Sequence, residues 1–530
     1  MKRIIHHSLF LSIVSGILLV LAFPFSGSIT PLVFVAWVPL WWVALRLKNT
    51  KRGALRFFAY SYLSLFLFNL GTTWWIWNST AGGAIMAFVC NTLLMAGSLG
   101  LGFLAFRRLT APWFIAGLSL TWVVFEFAHL NWELSWPWLT MGNFFSLRPS
   151  WIQWYEFTGI LGGSLWVMVA NWTGIQFMEQ KRYGYVMAFV GLLILPYFIS
   201  RGIQAFREQP SNPRLQTTVL LQPNIDPYTE KFTTDPVAQL KRIVSQAQPY
   251  LQPKALVVGP ETALQEAFVE DNYQQTESSK VLNKTLRESE THWLIGASTF
   301  KVFSKKQSSA CRSLPNGLFY ESYNTAAYLS SEQTDFIHKS KLVLGVEKIP
   351  FSSWLPFLEE LSIDNGGTSG SLGTERSPKI FRTEQGAYAP IICYESIYGA
   401  FVGEQCNQGA ELLCIITNDG WWGKTPGHLQ HNQFAALRAI ETRKYVVRSG
   451  NTGISSVWSP EGASIKSLGY GSTGILTAKV PMLKGKTFYV QHGDYLGWVS
   501  LVAVLCLFSG FALSKKTKIL VHKKNSEKSA

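Results

Sequence analysis

The sequence predicts an α-helical transmembrane bundle of about eight spans joined to a mixed α/β domain, and three observations predict it. Apolar stretches of nearly membrane-spanning length recur through the first two hundred residues and once more near the C-terminus. Lys and Arg gather in alternate connections between those stretches. Between the two apolar parts, short β-type runs alternate with amphipathic helical runs. At 530 residues and 48% hydrophobic, the chain is too apolar for an ordinary soluble enzyme and too long for one compact domain.

Residues 8–23 follow Lys2 and Arg3 and have the form of a signal peptide, but no small-residue cleavage pattern comes after them. Residues 24–29 run straight into a second apolar stretch, 30–45, so the first reads as an uncleaved span. Residues 57–77, 84–106, 113–128, 160–177 and 185–199 bring the spans to seven, and 497–513 is the eighth. The N-terminal region is therefore expected over 1–203, and a basic tail over 514–530.

The net charge of +15 raises nucleic acid as a partner, and its location removes that reading. The five segments on one side of the predicted membrane hold 17 Lys and Arg against two acids, Glu179 and Glu527, a surplus equal to the charge of the whole chain. The basicity is thus a topology signal. It places the N-terminus and the tail in the cytoplasm and the domain between the seventh and eighth spans outside it. The predicted location is a multi-pass protein of the cytoplasmic (inner) membrane, with the domain on the periplasmic side.

Residues 129–159 are too polar to cross. Trp132, Trp136, Trp138, Trp151 and Trp154 fit either an interfacial aromatic belt or the wall of a lipid entrance. Glu126, inside the fifth span, needs a partner or a cavity.

A Pro-bearing linker, 204–216, opens the soluble domain, 217–490. Strand-like runs are expected at 217–221, 255–258, 293–296, 325–329, 336–343, 389–393, 412–417, 445–447 and 454–458, and helices at 236–246 and 428–442. The Gly- and Ser-rich segment 364–376 is either a surface insertion or a lid. Six cysteines show no CxxC pair and no metal-like spacing, so neither a metal nor another cofactor is predicted. The pairing of Cys311, Cys406 and Cys414 stays open.

Three strand ends carry the chemistry. The run 388–392 delivers Cys393 to a switch from apolar to polar residues, 255–258 leads to Glu261, and Lys339 lies in the run from 336. A second strand end, at Asn418, Asp419 and Gly420, adds a wall. Free cysteines are mostly small core residues, but a carboxylate, an ammonium group and a thiol in this order are the parts of a thiol acyl-transfer site.

The blocks GPET at 259–262, HKSKLV at 338–343 and ICYES at 392–396 resemble the Glu-Lys-Cys triad of the carbon-nitrogen hydrolase (nitrilase) superfamily. With membrane spans attached, the resemblance is to the branch that N-acylates bacterial lipoproteins. It implies an αββα sandwich, with Glu261 as base, Lys339 as oxyanion partner and Cys393 as nucleophile, supported by Glu347, Tyr394 and Glu395. It further implies ping-pong transfer of a fatty acyl chain from a phospholipid, phosphatidylethanolamine above all, through a Cys393 thioester. The acceptor is the α-amine of the N-terminal diacylglyceryl-cysteine of an apolipoprotein, in the last step of lipoprotein maturation. A monomer is expected. Phe232, Trp136 and Trp138 are candidates for substrate contact. Phe232 replaces the usual Trp of the QxNIxxxxKW segment, here QPNIDPYTEKF, and LVLGVEK replaces LVPFGE. The alternatives are a membrane-tethered amidase or nitrilase with a small carbon-nitrogen substrate, which would need neither eight spans nor the Trp-rich stretch, and a scaffold carrying an inactive domain.

Overall fold

The structure, a computed structural model, describes residues 2–207, 212–348 and 371–526. Among the described residues, four helical segments are long and apolar enough to cross a membrane: Thr30–Leu47, Ala81–Phe106, Ala111–Asn131 and Tyr183–Phe206. His6–Ala22 and Tyr495–Gly510 are shorter apolar helices. Two further long helices, Gly53–Thr73 and Tyr155–Gln180, occupy the regions of predicted spans. Their composition is more polar because they carry the hydrogen bonds that hold the bundle together. Asn171 accepts from the Trp37 N–H at 2.9 Å and donates to the Val33 carbonyl at 2.9 Å. The Asn91 amide donates to Asn69 Oδ1 at 2.8 Å. Inside a bundle, such side chains act as interhelical ties.

The helix expected from residue 84 starts at Ala81, and a π-helical turn, Met86–Cys90, interrupts it. Glu126 has found its partners: Trp122 Nε1 and the Met141 N–H each donate to its Oε1 at 2.8 Å. No cation is paired with it among the described residues.

The remainder is a sandwich of two sheets. One is eight-stranded and built on Leu215–Gln222, Leu256–Val258, His292–Phe303 and Phe319–Leu329. The other is six-stranded, with Gly386–Ile392, Leu412–Thr417 and Val446–Gly450 parallel at its centre. Leu220, Val258 and Leu294 of the first sheet meet Ile392, Cys414 and Ile416 of the second in one apolar layer. Helices Pro236–Ala247 and Glu277–Ser289 cover the outer face of the first sheet with Leu240, Ile243, Leu282 and Leu286. Gly399–Asn407 and Pro426–Thr442 cover that of the second.

Pro426–Thr442 has a second duty. It is buried on almost every side and lies between the sheet and the helical region. Gln430 accepts from Trp138 Nε1 at 2.8 Å and donates to the Pro24 and Thr72 carbonyls. At its start, a Cβ on Gly427 would come within 2.6 Å of the Trp75 ring, so only glycine permits that approach. At its end, Arg443 pairs with Glu156 at 2.6 Å.

Three expectations change. The strand predicted over 336–343 is Thr334–His338. The Lys339 N–H still bonds to the Asn324 carbonyl at 2.8 Å, but the chain then turns back so that Glu347 can receive the Val343 N–H at 2.8 Å. The strand predicted over 445–447 is Val446–Gly450. Leu264–Val269, Ser464–Leu468 and Gly474–Pro481 are strands not anticipated, because their partly exposed faces dilute the apolar signal.

Candidate active site

Cys393 stands where the strand Gly386–Ile392 turns into the tight segment Cys393–Ile397, and its φ is +50°. A non-glycine residue held there costs about 1–3 kcal/mol and persists only where the surroundings enforce it. Glu395 enforces it. One carboxylate oxygen accepts the Ile392 N–H at 2.8 Å, and the other accepts the Ser340 N–H at 2.6 Å. A single side chain thereby ties the thiol-bearing turn to the loop that follows Lys339. Burial pushes its carboxyl up to about 7, against the pull of those amides and of Lys339.

Glu261 follows the strand Leu256–Val258, and its neighbour Thr262 also has a positive φ, +50°. Its carboxylate is fully engaged. Lys339 Nζ lies 3.1 Å and Asn324 Nδ2 2.8 Å from Oε1, while the Asn418 N–H donates to Oε2 at 3.1 Å. Lys339 also reaches Glu347 at 2.8 Å, and Asn324 bridges to Glu347 at 3.0 Å. Two carboxylates therefore share one buried ammonium, and an amide holds them in register. Burial disfavours both charges, but Lys339 and Asn324 outweigh it at Glu261, which sits below the ordinary carboxylate range. Glu261 and Glu347 likewise outweigh burial at Lys339, whose ammonium is held well above its ordinary value.

Burial, then the Glu261 charge, push the Cys393 thiol up, and Lys339 only partly offsets them. A thiol disfavoured as a thiolate in this way calls for a base to take its proton when it attacks.

A second ammonium, Lys231, is just as buried and bonds to the Thr262 hydroxyl. Burial lowers it to about 8, against the raising effect of Glu261 and Cys393. It adjoins Phe232, the residue that the sequence brought forward. Phe232 itself is half exposed and stacks on Trp421 at 6.4 Å, outside the residues lining the cavity beside the thiol. Lys231 and Asn324 were not anticipated. The nearest signal was Lys231's place in the quoted segment QPNIDPYTEKF.

Behind the thiol lies a buried polar chain. Asp419 pairs with Arg448 and with His431 Nδ1 at 2.9 Å, and His431 Nε2 reaches Ser396 Oγ at 2.9 Å and the Cys393 carbonyl at 3.2 Å. Cys393, Asp419 and His431 are close enough to surround a cation. The Asp419 and His431 donor atoms are already taken by Arg448, Thr417 and Ser396, so the group is a brace for the turn.

On its other side Cys393 faces an apolar cavity of about 130 Å³. Its walls come from the helical region, with Trp75, Gly83, Met86 and Leu94, and from the 130s loop, with Trp136 and Trp138. Tyr394 also lines it, stacks on Trp136 at 5.9 Å and donates to the Ser135 carbonyl at 3.0 Å.

A carboxylate, an ammonium and a thiol at the ends of strands in a two-sheet sandwich define a thiol-dependent acyl-transfer or hydrolase site. The profile of the carbon-nitrogen hydrolase family matches residues 220–485, half of the chain, and the chain belongs to that family. The profile of the apolipoprotein N-acyltransferase N-terminal domain matches residues 15–173. The chain is 29% identical to the apolipoprotein N-acyltransferase of Chlorobaculum tepidum, over 94% of this chain and 96% of that one. It is 25% identical to that of Geobacter metallireducens, over 96% and 95%. Among solved structures, Saccharomyces cerevisiae Nit3, of the nitrilase superfamily, aligns with 51% of this chain and 90% of its own at 17% identity and a TM-score of 0.35.

Proposed function

We propose that the chain is an apolipoprotein N-acyltransferase that moves a fatty acyl chain from a phospholipid, through a thioester on Cys393, to the α-amine of the diacylglyceryl-cysteine of an apolipoprotein. The observation that carries this reading is the shared position of Cys393, near enough to the paired Glu261 and Lys339 to feel both charges and on the wall of an apolar cavity lined in good part by membrane-type helices. A hydrolase with a small polar substrate has no use for that cavity.

In the first half-reaction Glu261 takes the thiol proton as Sγ attacks the ester carbonyl. Lys339 and a backbone N–H of the turn hold the oxyanion. The C–O bond breaks, and the proton passes to the leaving lysophospholipid. In the second, the acceptor amine attacks the thioester, Glu261 takes a proton from it, the amide C–N bond forms as the C–S bond breaks, and the released Cys393 thiolate regains the proton. Glu347 and Asn324 fix Lys339, Glu395 fixes the turn, and Trp136 and Trp138 face the chain being transferred. An apolar surround favours an amine delivered by lipid over water.

The proposed division is a helical region over 1–203, a linker to 216, a hydrolase-type domain over 217–490, a returning helix over 497–513 and a tail over 514–530. Eight spans in all leave that domain on the periplasmic face. Phosphatidylethanolamine is the proposed donor, and the active unit a monomer.

The test is to incubate the purified protein with phosphatidylethanolamine and search for an acyl adduct on Cys393 by mass spectrometry, then add a diacylated lipopeptide. Discharge of the adduct into N-acylated lipopeptide is the expected result. Discharge only into free fatty acid would make the protein a membrane-bound hydrolase.

A further inference from the structure

A second, larger cleft adjoins the apolar cavity. It encloses about 590 Å³, and Leu344 lines both, so the turn after Lys339 forms the partition between them. Unlike its neighbour the cleft is rich in charge. Five of its lining residues are Lys or Arg: Lys301, Lys341, Lys348, Arg376 and Lys379. Three have carboxylate partners, Lys301 with Glu270 at 3.1 Å, Lys348 with Glu133 at 3.5 Å and Lys379 with Glu375 at 3.0 Å.

Lys341 and Arg376 make no ion pair among the described residues. The Lys341 ammonium lies over the Tyr398 ring, 5.0 Å from its centre. Burial pulls its proton affinity down and neighbouring Lys348 adds to that, while Glu395 and Asp494 only partly restore it. A partly buried cation with a ring face in place of a carboxylate leaves part of its charge uncompensated, and a bound anion would offset that cost. Arg376, exposed on the same cleft, offers a planar fork suited to phosphate oxygens.

We infer that this cleft is the headgroup subsite for the acyl donor, holding the phosphodiester of a glycerophospholipid on Lys341 and Arg376 while its acyl chain enters the apolar cavity next door. The inference rests on the function proposed above and extends it. A glycerophospholipid is a polar anion joined to an apolar tail, and the two compartments on either side of Leu344 have that same division. The residues also match in position. Lys341 is two residues beyond Lys339, and Tyr398, beneath its ammonium, donates to or accepts from Ser135 at 2.8 Å, beside Trp136 of the cavity wall. Binding of the headgroup would thus set the ester against the turn that bears Cys393.

The test measures acylation of Cys393 by phosphatidylethanolamine in the full-length protein, with three competitors: lysophosphatidylethanolamine, the monoacylglycerol of the same chain, and inorganic phosphate. In the unaltered protein the phosphate-bearing lysolipid is expected to compete about tenfold better than the monoacylglycerol, the scale of one charge-assisted contact. In Lys341→Gln, and in the double variant with Arg376→Gln, the two lipids should compete equally. The readout is a ratio, so a general loss of folded protein leaves it unchanged. A ratio near one in the unaltered protein, or a ratio that survives both substitutions, overturns the assignment. Competition by inorganic phosphate as strong as that of the lysolipid would make this a free-phosphate site. Failure of the unaltered protein to form any acyl adduct would instead refute the proposed function, and the subsite with it.

Discussion

The two walls around Cys393 are built on opposite principles. On the hydrolase side Glu261, Lys339, Glu347 and Asn324 are locked by interlinked hydrogen bonds, with both Glu261 oxygens engaged. On the helical side the cavity is bounded by ring packing, Trp75 against Trp138 at 5.0 Å and Trp136 against Trp138 at 5.6 Å. Hydrogen bonds have narrow geometry, whereas dispersion contacts tolerate repacking. The polar wall is therefore suited to fixing the reaction, and the apolar wall to setting which chain takes part.

The comparison breaks most easily at the thiol. Cys393→Ala should abolish the acyl adduct and lower lipopeptide N-acylation by about four orders of magnitude or more, read by mass spectrometry, since a covalent route has no substitute nucleophile. Next is the polar wall. Lys339→Met should reduce turnover by about 10²–10³ through loss of oxyanion stabilisation. It should also destabilise the domain by about 3–5 kcal/mol, because Glu261 and Glu347 are left buried without their shared cation. Chemical denaturation and steady-state rates separate the two effects.

The apolar wall should respond differently. Gly83→Leu adds a side chain to the cavity lining, with its Cβ 2.7 Å from the Thr80 methyl, which must give way. It is expected to shift preference toward shorter donor chains by about tenfold, the scale of one or two methylenes. Alkylation of Cys393 by a small reagent should keep its rate. Equal losses for short and long chains would remove the distinction between the walls.

The smallest effect concerns Lys231. Its folded pKa of about 8 lies below the value near 10.5 of an exposed lysine. Between those values the unfolded chain holds a proton that the folded chain has released, so this group makes stability rise with pH across the window and adds nothing to the slope below it. Lys231→Met should flatten the rise, as followed by denaturant midpoints between pH 8 and 10.5.

Much of this was legible in the sequence. Cys393, Glu261 and Lys339 each lie at or just past the end of an apolar run, and strand ends are where a sheet presents side chains to a ligand. Glu347 was legible only through the family resemblance, from its place in LVLGVEK. The strand expected through Val343 was not real, because a run of apolar residues reads alike whether it continues a ladder or lines a cavity, as Val343 and Leu344 do. The segment 364–376 lies in part outside the described residues, and residues 371–376 line the polar cleft. The Asp419–His431–Arg448 brace and Asn324 were hidden for another reason. Their partners lie apart in sequence and meet within one sheet: Asp419 and Arg448 when Leu412–Thr417 pairs with Val446–Gly450 and His431 packs on them, Asn324 and Glu261 when the strands of the other sheet align. Among the helices, Gly53–Thr73 and Tyr155–Gln180 show that buried polar ties lower the hydropathy of a helix without removing it from the bundle.

The central claim is that the acyl chain bound to Cys393 lies against the helical region. A phosphatidylethanolamine with a photoreactive diazirine near the end of its acyl chain tests it directly, once loaded onto the protein and illuminated. Crosslinks at Met86, Cys90 or Leu94, which line the cavity, are the result this account predicts. Crosslinks confined to the sandwich domain, with the thioester formed, would contradict it.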